Sequence, residues 1–312
     1  MRQVAINMVH DLARRDPRVV FVGSDLGAGT LNAMKAELPE RFFMEGIAEQ
    51  HVIGMAAGLA MEGFTPYVNT IATFLTRRCF EQIAIDVCLE SLPVRLIASG
   101  GGAVYAPLGP THIALDDIAL MRTLPNMAIV APSDADEMAR LMNASVDWPG
   151  PLYIRLAKGG DPVISRPEAR FSIGRSILMR PEGDVLLVGT GITTGIALAA
   201  ADLLADRGVA ARVLHAHTLK PFDIDGMVAA AKGCRRVVTI EEHSLIGGLG
   251  AVVLETLSDA GCALPVLRLG FPDRFAEGYG SQAHLMQKAG LTPDLVARRV
   301  LDELPRPSEA TP

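Results

Sequence analysis

Gly46-Ile-Ala-Glu-Gln-His-Val-Ile-Gly-Met-Ala-Ala-Gly-Leu-Ala-Met61 follows an apolar stretch and reads as an apolar, Ala/Gly-rich helix over 47–61. Its first turn carries one carboxylate, Glu49, in the company of Ile47, Ile53, Met55 and Ala56. Outward from this helix, short β-rich runs alternate with helical patterns. Residues 18–23, 67–71, 94–99, 128–131 and 153–156 read as strands, and 3–15, 77–90, 113–123 and 134–146 as helices. Alternation of this kind predicts a parallel sheet covered on both faces. Residues 157–183 carry Gly159, Gly160, Pro162, Pro167, Gly174, Pro181 and Gly183, the punctuation of a linker. The pattern then restarts, with strands at 184–189, 211–214, 236–240 and 265–269 and helices at 192–207, 225–232, 247–259 and 293–303. The expected fold is α/β, in two three-layer α/β/α domains at 1–180 and 181–304, followed by a polar, Pro-rich tail, 305–312, expected to be disordered.

Composition narrows the function. The chain has 312 residues, 49% of them hydrophobic, enough for a sizeable core in each of two domains. A formal charge of −6, from 29 basic and 35 acidic residues, together with the lack of any Lys/Arg block, speaks against a nucleic-acid surface. Arg14-Arg15 and Arg235-Arg236 read as solvated ends of a helix and a strand. Cys79, Cys88, Cys234 and Cys262 lack CxxC or ligand-like spacing and read as reduced, mostly buried thiols of a cytoplasmic protein. The first helix is amphipathic, with Val4, Met8 and Leu12 at helical spacing, and has no continuous apolar signal region. No uncharged run is long enough to span a bilayer.

Three segments carry chemistry. A buried Glu49 either stays protonated or binds a nitrogen base tightly, because burial disfavours the free carboxylate. The alternative is an exposed acid near the positive end of a helix dipole. In Ala72-Thr-Phe-Leu-Thr-Arg-Arg-Cys-Phe80, Phe74 and Phe80 are either core residues or a stacking platform for a flat heterocycle, with Arg77 as a nearby donor. Gly109-Pro-Thr-His112 follows the run Gly100-Gly101-Gly102, which reads as a loop whose backbone can approach a ligand, with His112 as a donor to a carbonyl or hydroxyl. Gly189-Thr-Gly-Ile-Thr-Thr-Gly195 superficially suggests a dinucleotide fingerprint, but its third glycine falls one residue late and no acid ends the next strand. It reads as a tight turn without a ligand. His51 is expected to pack beside its helix, and Glu241-Glu242-His243 to form a loop at a domain or subunit contact.

Gly23-Ser-Asp-Leu26, the hexapeptide Gly46–His51, Thr73-Phe-Leu75 and Gly109–His112 stand in the order found in the transketolase family. With the second βα domain, the chain resembles the C-terminal half of that family: a pyrimidine-binding domain followed by the C-terminal domain. It is also similar to the corresponding half of deoxyxylulose-phosphate synthase. The resemblance implies a transferase of carbohydrate metabolism using thiamine diphosphate and Mg2+ or another divalent ion. Glu49 would hydrogen-bond the aminopyrimidine ring and favour its imino tautomer. Phe74 would stack on the ring, with Arg77 and Phe80 lining the pocket, where the family has aromatic residues at both of the latter positions. Asp25 and Leu26 would approach the cofactor. His112 would contact the donor ketose oxygen. Arg2, Thr30 and Lys158 would match positions that hold a substrate phosphate, with Lys158 standing where the family has an Arg.

The family's diphosphate- and metal-binding GDG…N motif does not occur here. The resemblance therefore implies a split transketolase, whose N-terminal subunit carries that motif and the metal ligands, assembled as an α2β2 heterotetramer acting on a sugar phosphate. Two departures bear on the sugar: Leu108 stands where the family has an acid that reads a hydroxyl, and Gly100 where it has a His. The rivals are the β subunit of a 2-oxoacid dehydrogenase E1 component, a deoxyxylulose-phosphate synthase-like carboligase, and a non-catalytic partner. A dehydrogenase using the 189–195 turn is a further alternative. TFLTRR and GPTH argue against the E1 reading.

Overall fold

The computed structural model describes residues 1–24 and 31–304, so Asp25, Leu26, Thr30 and the tail 305–312 lie outside the described residues. The strands are β1 (Val19–Gly23), β2 (Phe42–Met44), β3 (Thr65–Ile71), β4 (Arg95–Ser99), β5 (Ala128–Val130), β6 (Leu152–Leu156), β7 (Ile177–Arg180), β8 (Val185–Gly189), β9 (Ala211–His215), β10 (Thr218–Lys220), β11 (Arg236–Ser244) and β12 (Val266–Phe271). The helices are α1 (Arg2–Arg15), α2 (Asn32–Glu37), α3 (Glu49–Met61), α4 (Phe80–Gln82), α5 (Asp117–Thr123), α6 (Ala135–Ser145), α7 (Thr193–Ala205), α8 (Ile224–Ala231), α9 (Leu249–Asp259), α10 (Gln282–Lys288) and α11 (Pro293–Asp302).

The first sheet has the order β10-β5-β6-β4-β3-β1-β2, and every pair in it is parallel except β10 with β5. Strand β1 is buried at all five positions, the mark of a strand covered on both faces. Alternate residues separate the two faces. Val19, Phe21, Ile97 and Ile154 pack with Ile6 and Val9 of α1 and Met138 and Leu141 of α6. Val22, Val68, Leu96 and Ala98 pack with Val52, Ile53, Ala56 and Ala60 of α3. Full burial of a Val or Ile stabilises by about 1.5–3 kcal/mol, so Val9→Asp on the buried face of α1 would undo that layer. Helix α6 starts at Asp134, whose side chain accepts the Glu137 N–H, while Glu137 reaches back to the Ser133 N–H at 2.6 Å. The arrangement resembles a capping box, with the return bond going to the residue before the N-cap.

The second sheet has the order β12-β11-β8-β9-β7, with only β7 antiparallel. Its first strand begins at Ile177, within the stretch expected to be a linker. Leu187 and Val213 pack with Ala197, Ala201 and Leu204 of α7 and Val296 and Val300 of α11. On its other face Leu186, Val188 and Leu214 join the same apolar cluster as α3. Strand β10 comes from the second half yet pairs with β5 of the first sheet. Among the described residues, no helix is long and apolar enough to cross a membrane.

Three expectations need correcting. The segment 77–90 is not one α-helix: a π-turn, Phe74–Arg78, precedes the single turn α4 and a second π-turn, Ile83–Cys88. A pattern with a 3.6-residue period cannot reveal an i→i+5 turn. Helix α5 begins at Asp117 rather than 113, because Ala114 exchanges backbone hydrogen bonds with Gly102 at 2.9 Å each way. Residues 241–243 are buried strand, not loop, since β11 runs on to Ser244.

Candidate active site

In open parallel sheets, ligands bind beyond the carboxyl ends of the strands. There, Ser24 follows β1 and the π-turn follows β3, while Glu49 opens α3. Glu49 is 1% exposed. The Ser24 hydroxyl donates to its Oε1 at 3.0 Å, and Arg78 Nη1 donates to Oε2 at 2.7 Å. The Arg78 guanidinium also lies over Phe74, 4.4 Å from the ring centre. Phe74 in turn meets the His112 ring edge-on, with centroids 5.1 Å apart. The loop bearing His112 is held by Thr73, whose hydroxyl donates to the His112 carbonyl at 3.1 Å. Thr111 Oγ1 lies 2.9 Å from His112 Nδ1. An acid, a cation, an aromatic ring and an imidazole thus form one wall.

The electrostatics choose between the two readings of Glu49. Burial pushes the Glu49 carboxyl up, but hydrogen bonds from Arg78, from its own backbone N–H and from Ser24 outweigh it and hold the group below the ordinary glutamate value. Glu49 is therefore a paired carboxylate at neutral pH, not a protonated acid. Arg78, which the sequence reading passed over, is its partner. Arg77 turns away and grips Asp116 at 2.7 and 3.0 Å.

The other sequence candidates scatter. Phe80 is half-buried and packs against the core. Leu108 ends a short 3-10 turn, Ala106–Leu108, and is 51% exposed. Arg2 is half-buried at the start of α1, and Lys158 is exposed beyond β6. A Cβ on Gly159 would lie 3.3 Å from the Met1 nitrogen, so the backbones bearing Arg2 and Lys158 share one corner. His51 does not pack beside its helix; it is exposed, 3.7 Å from Glu45. A cavity of about 410 Å³ adjoins the His112 loop, lined by Arg77, Pro110, Ile113, Asp116, Ser244 and Arg274 among others. Glu49 is not part of its lining.

The run Gly100–Gly102 makes room for packed side chains. A Cβ on Gly100 would lie 2.1 Å from the Tyr105 ring, and one on Gly102, which has φ +73°, would lie 2.4 Å from Glu242 Cδ. That carboxylate accepts the Ala103 N–H at 2.8 Å and Gln282 Nε2 at 2.7 Å, joining the two domains. Beneath it Arg155 grips Asp117 at 2.7 and 3.1 Å and donates to the Glu242 carbonyl at 3.0 Å, while the Tyr153 hydroxyl donates to Asp117 at 2.8 Å. Glu241 accepts the Leu249 and Gly250 N–H groups at the start of α9, and burial pushes its carboxyl up to about 7. A second buried junction links His215 to Glu137 at 2.8 Å and to Thr194 at 2.6 Å. In the 189–195 turn, a Cβ on Gly189 would lie 2.7 Å from Thr194 Cα, a packing constraint of its own. Cys79, Cys88 and Cys234 are buried free thiols, and Cys262 is half-buried.

Comparison with known proteins gives this geometry a setting. Residues 1–160 match the family model of the transketolase pyrimidine-binding domain, and residues 174–296 that of the transketolase C-terminal domain. The 1-deoxy-D-xylulose-5-phosphate synthase of Thermomicrobium roseum is 41% identical over 296 residues, covering 93% of this chain and 46% of that protein. That of Microcystis aeruginosa is 37% identical, with 93% and 46% covered. The chain thus spans about half the length of the curated relatives it matches. Among solved structures, a split-gene transketolase, an inactive β4 tetramer, superposes with a TM-score of 0.89 at 39% identity, covering 96% of this chain and 97% of that one.

Proposed function

The chain belongs to the transketolase family, and from that premise we propose that it is the C-terminal subunit of a thiamine-diphosphate-dependent split transketolase. The observation that carries the reading is the wall built by Glu49, Phe74 and His112. A buried carboxylate near a half-buried phenyl ring is a pattern that an aminopyrimidine fits: the acid for one ring nitrogen, and the phenyl face away from Arg78 for stacking. When bound, the cofactor supplies the carbanion chemistry that takes up a two-carbon ketol unit from a donor ketose.

The chain's own residues orient and handle protons. Glu49 holds the ring nitrogen, with Ser24 fixing one carboxylate oxygen while Arg78, on the open side of the pair, shares or yields the other. Phe74 sets the plane of the ring. His112 stands next to it as a donor to a substrate oxygen. Arg77, Phe80, Asp25 and Leu26 complete the pocket in this reading, and Arg2, Thr30 and Lys158 hold a phosphate at the far end of the sugar. The diphosphate and its divalent ion belong to an N-terminal partner bearing a GDG…N motif, in an α2β2 assembly. The neighbour of 97% coverage, a chain of a split-gene enzyme inactive as β4, supports that division of labour.

A second reading has one observation in its favour: the curated relatives at 37–41% identity are named 1-deoxy-D-xylulose-5-phosphate synthases. A 1-deoxy product lacks the hydroxyl that a ketol unit carries, so in this reading the donor is a 2-oxoacid that loses CO2. The two readings separate in one experiment. The chain, the N-terminal subunit, thiamine diphosphate and Mg2+ are combined and offered either a ketose phosphate with an aldose phosphate or a 2-oxoacid with an aldose phosphate. Ketol transfer without CO2 release is the expected result. CO2 release with a 1-deoxyketose product replaces it by the second reading, and full activity of the chain without a partner removes the split assignment.

A further inference from the structure

One guanidinium in the candidate site does two things. Arg78 Nη1 donates to Glu49 Oε2 at 2.7 Å, and its Cζ lies 4.4 Å from the centre of the Phe74 ring. Phe74 opens the π-turn Phe74–Arg78 and Arg78 closes it, so both side chains leave the same wall four residues apart. The acid is 1% exposed and the arginine 44%, so the pair meets solvent from the arginine's side alone. Arg77, next in the chain, is committed to Asp116.

We propose that Arg78 is a positioning residue of the aminopyrimidine site, tying the acid that meets the ring nitrogen and the ring that stacks on it into one unit. The proposal rests on the cofactor reading given above. The planar fork explains why an arginine is needed: its edge bonds the carboxylate while its face lies on the phenyl ring, which an ammonium cannot do at once. The groups facing Glu49 are few. From the end of β1 comes the neutral Ser24 hydroxyl, and from the π-turn comes Arg78. Cys79 faces it as well, but burial pushes that thiol up to about 12, so it stays neutral. Arg78 is thus the one cation in contact with the acid among the described residues. Without it, among the described residues burial acts on Glu49 against Ser24 and a backbone N–H alone, and the carboxyl takes up its proton at a higher pH. A protonated Glu49 offers the ring nitrogen a different hydrogen bond, and a free Phe74 no longer fixes the plane.

The test uses the full chain in three forms, wild type, Arg78→Met and Arg78→Lys, with Glu49→Gln as the control that identifies the Glu49 signal. First, the carboxyl carbon of Glu49 is titrated by NMR in the chain. The expected result is a midpoint below the ordinary glutamate value in wild type, a midpoint moved to higher pH in Arg78→Met, and a midpoint restored most of the way in Arg78→Lys. Second, exchange of the thiazolium proton of thiamine diphosphate is followed in the chain combined with its partner subunit and Mg2+. Arg78→Met is expected to slow it about 10²-fold, the loss typical of a misplaced reacting group. The acidic limb of its pH profile is expected to move up with the Glu49 midpoint, and Arg78→Lys is expected to recover the limb but not the whole rate. A residue that only stabilises the fold would lower the melting temperature and leave midpoint and limb in place; that outcome overturns the proposal. If the midpoint moves as expected but Glu49→Gln exchanges like wild type, the cofactor reading itself has failed and the proposal falls with it. The two failures are read from different signals.

Discussion

Two arginine–carboxylate pairs in this chain have the same chemistry and opposite settings. Arg155 and Asp117 are 7% and 0% exposed, and Tyr153, the Ala114 carbonyl and the Glu242 carbonyl use up their remaining hydrogen-bonding capacity. Arg78 and Glu49 are 44% and 1% exposed, and among the described residues Ser24 is the acid's one other side-chain donor. The first pair is closed on every side and joins the two domains. The second encloses the acid and, among the described residues, reaches solvent only on the arginine's side. A saturated pair can only hold structure, because a ligand would have to break a hydrogen bond already made. A pair with one open side can exchange or share its partner with a ligand. The difference in saturation, more than the difference in residue type, separates the scaffold from the candidate site.

The largest effect that could break this comparison is at the closed pair. Arg155→Met leaves Asp117 buried and uncompensated and is expected to cost about 3–5 kcal/mol in urea unfolding. Arg78→Met, at the open pair, is expected to cost far less stability. Equal losses at both positions would erase the distinction.

The second effect is a pH dependence at the His215–Glu137 junction. Burial pushes Glu137 up, but His215, His217 and the Ser133 N–H outweigh it and lower the carboxyl to about 2. A folded-state value depressed below the unfolded one contributes stability above the unfolded value of about 4.5 and loses it as pH falls towards about 2. The contribution is about 3 kcal/mol. Chemical unfolding of wild type and Glu137→Gln across that window is expected to show a slope in the first and a flatter curve in the second. Parallel curves would mean that the junction carries no linked proton.

Smaller effects sharpen the substrate side. Leu108 is apolar and cannot reward a sugar hydroxyl, so Leu108→Asp is expected to improve kcat/KM for xylulose 5-phosphate by the worth of one hydrogen bond, about 1 kcal/mol. A decrease would mean that Leu108 does not face the sugar. Lys158 is exposed, and an exposed ion pair is worth about 0.2–1 kcal/mol. Lys158→Ala should therefore raise KM for phosphorylated substrates by about 1.4- to fivefold and leave unphosphorylated ones unchanged. Equal changes for both would remove Lys158 from the phosphate site.

Much of this was legible in the chain because it rests on local patterns. Strands buried on both faces read as short apolar runs, and their alternation with Ala-rich helices points to two parallel-sheet domains. Glu49, Phe74 and His112 stand out by residue type; Phe74 touches His112, and Arg78 links Phe74 to Glu49. What could not be read depends on backbone geometry or distant partners. Arg77 and Arg78 are adjacent, and only the i→i+5 turn decides which of them faces Glu49. The run Gly100–Gly102 signals flexibility, yet its missing side chains make room for Tyr105, Arg155 and Glu242, the last of them contributed by the other domain. Strand β10 is three residues long, and its partner lies almost ninety residues earlier in the chain, beyond any local window.

The central claim is that Glu49 is the acid that engages the aminopyrimidine ring. Glu49→Gln is nearly isosteric, keeps a hydrogen-bonding group beside Ser24 and Arg78, and removes the carboxylate. The measurement is deuterium exchange at the thiazolium carbon of thiamine diphosphate, in the chain combined with its partner subunit and Mg2+, with unfolding curves run in parallel to show that the fold persists. Loss of a positioned acid–base group is expected to slow exchange by about 10²–10⁴-fold. Exchange in Glu49→Gln at the wild-type rate, in a folded and assembled protein, would contradict the account at its core.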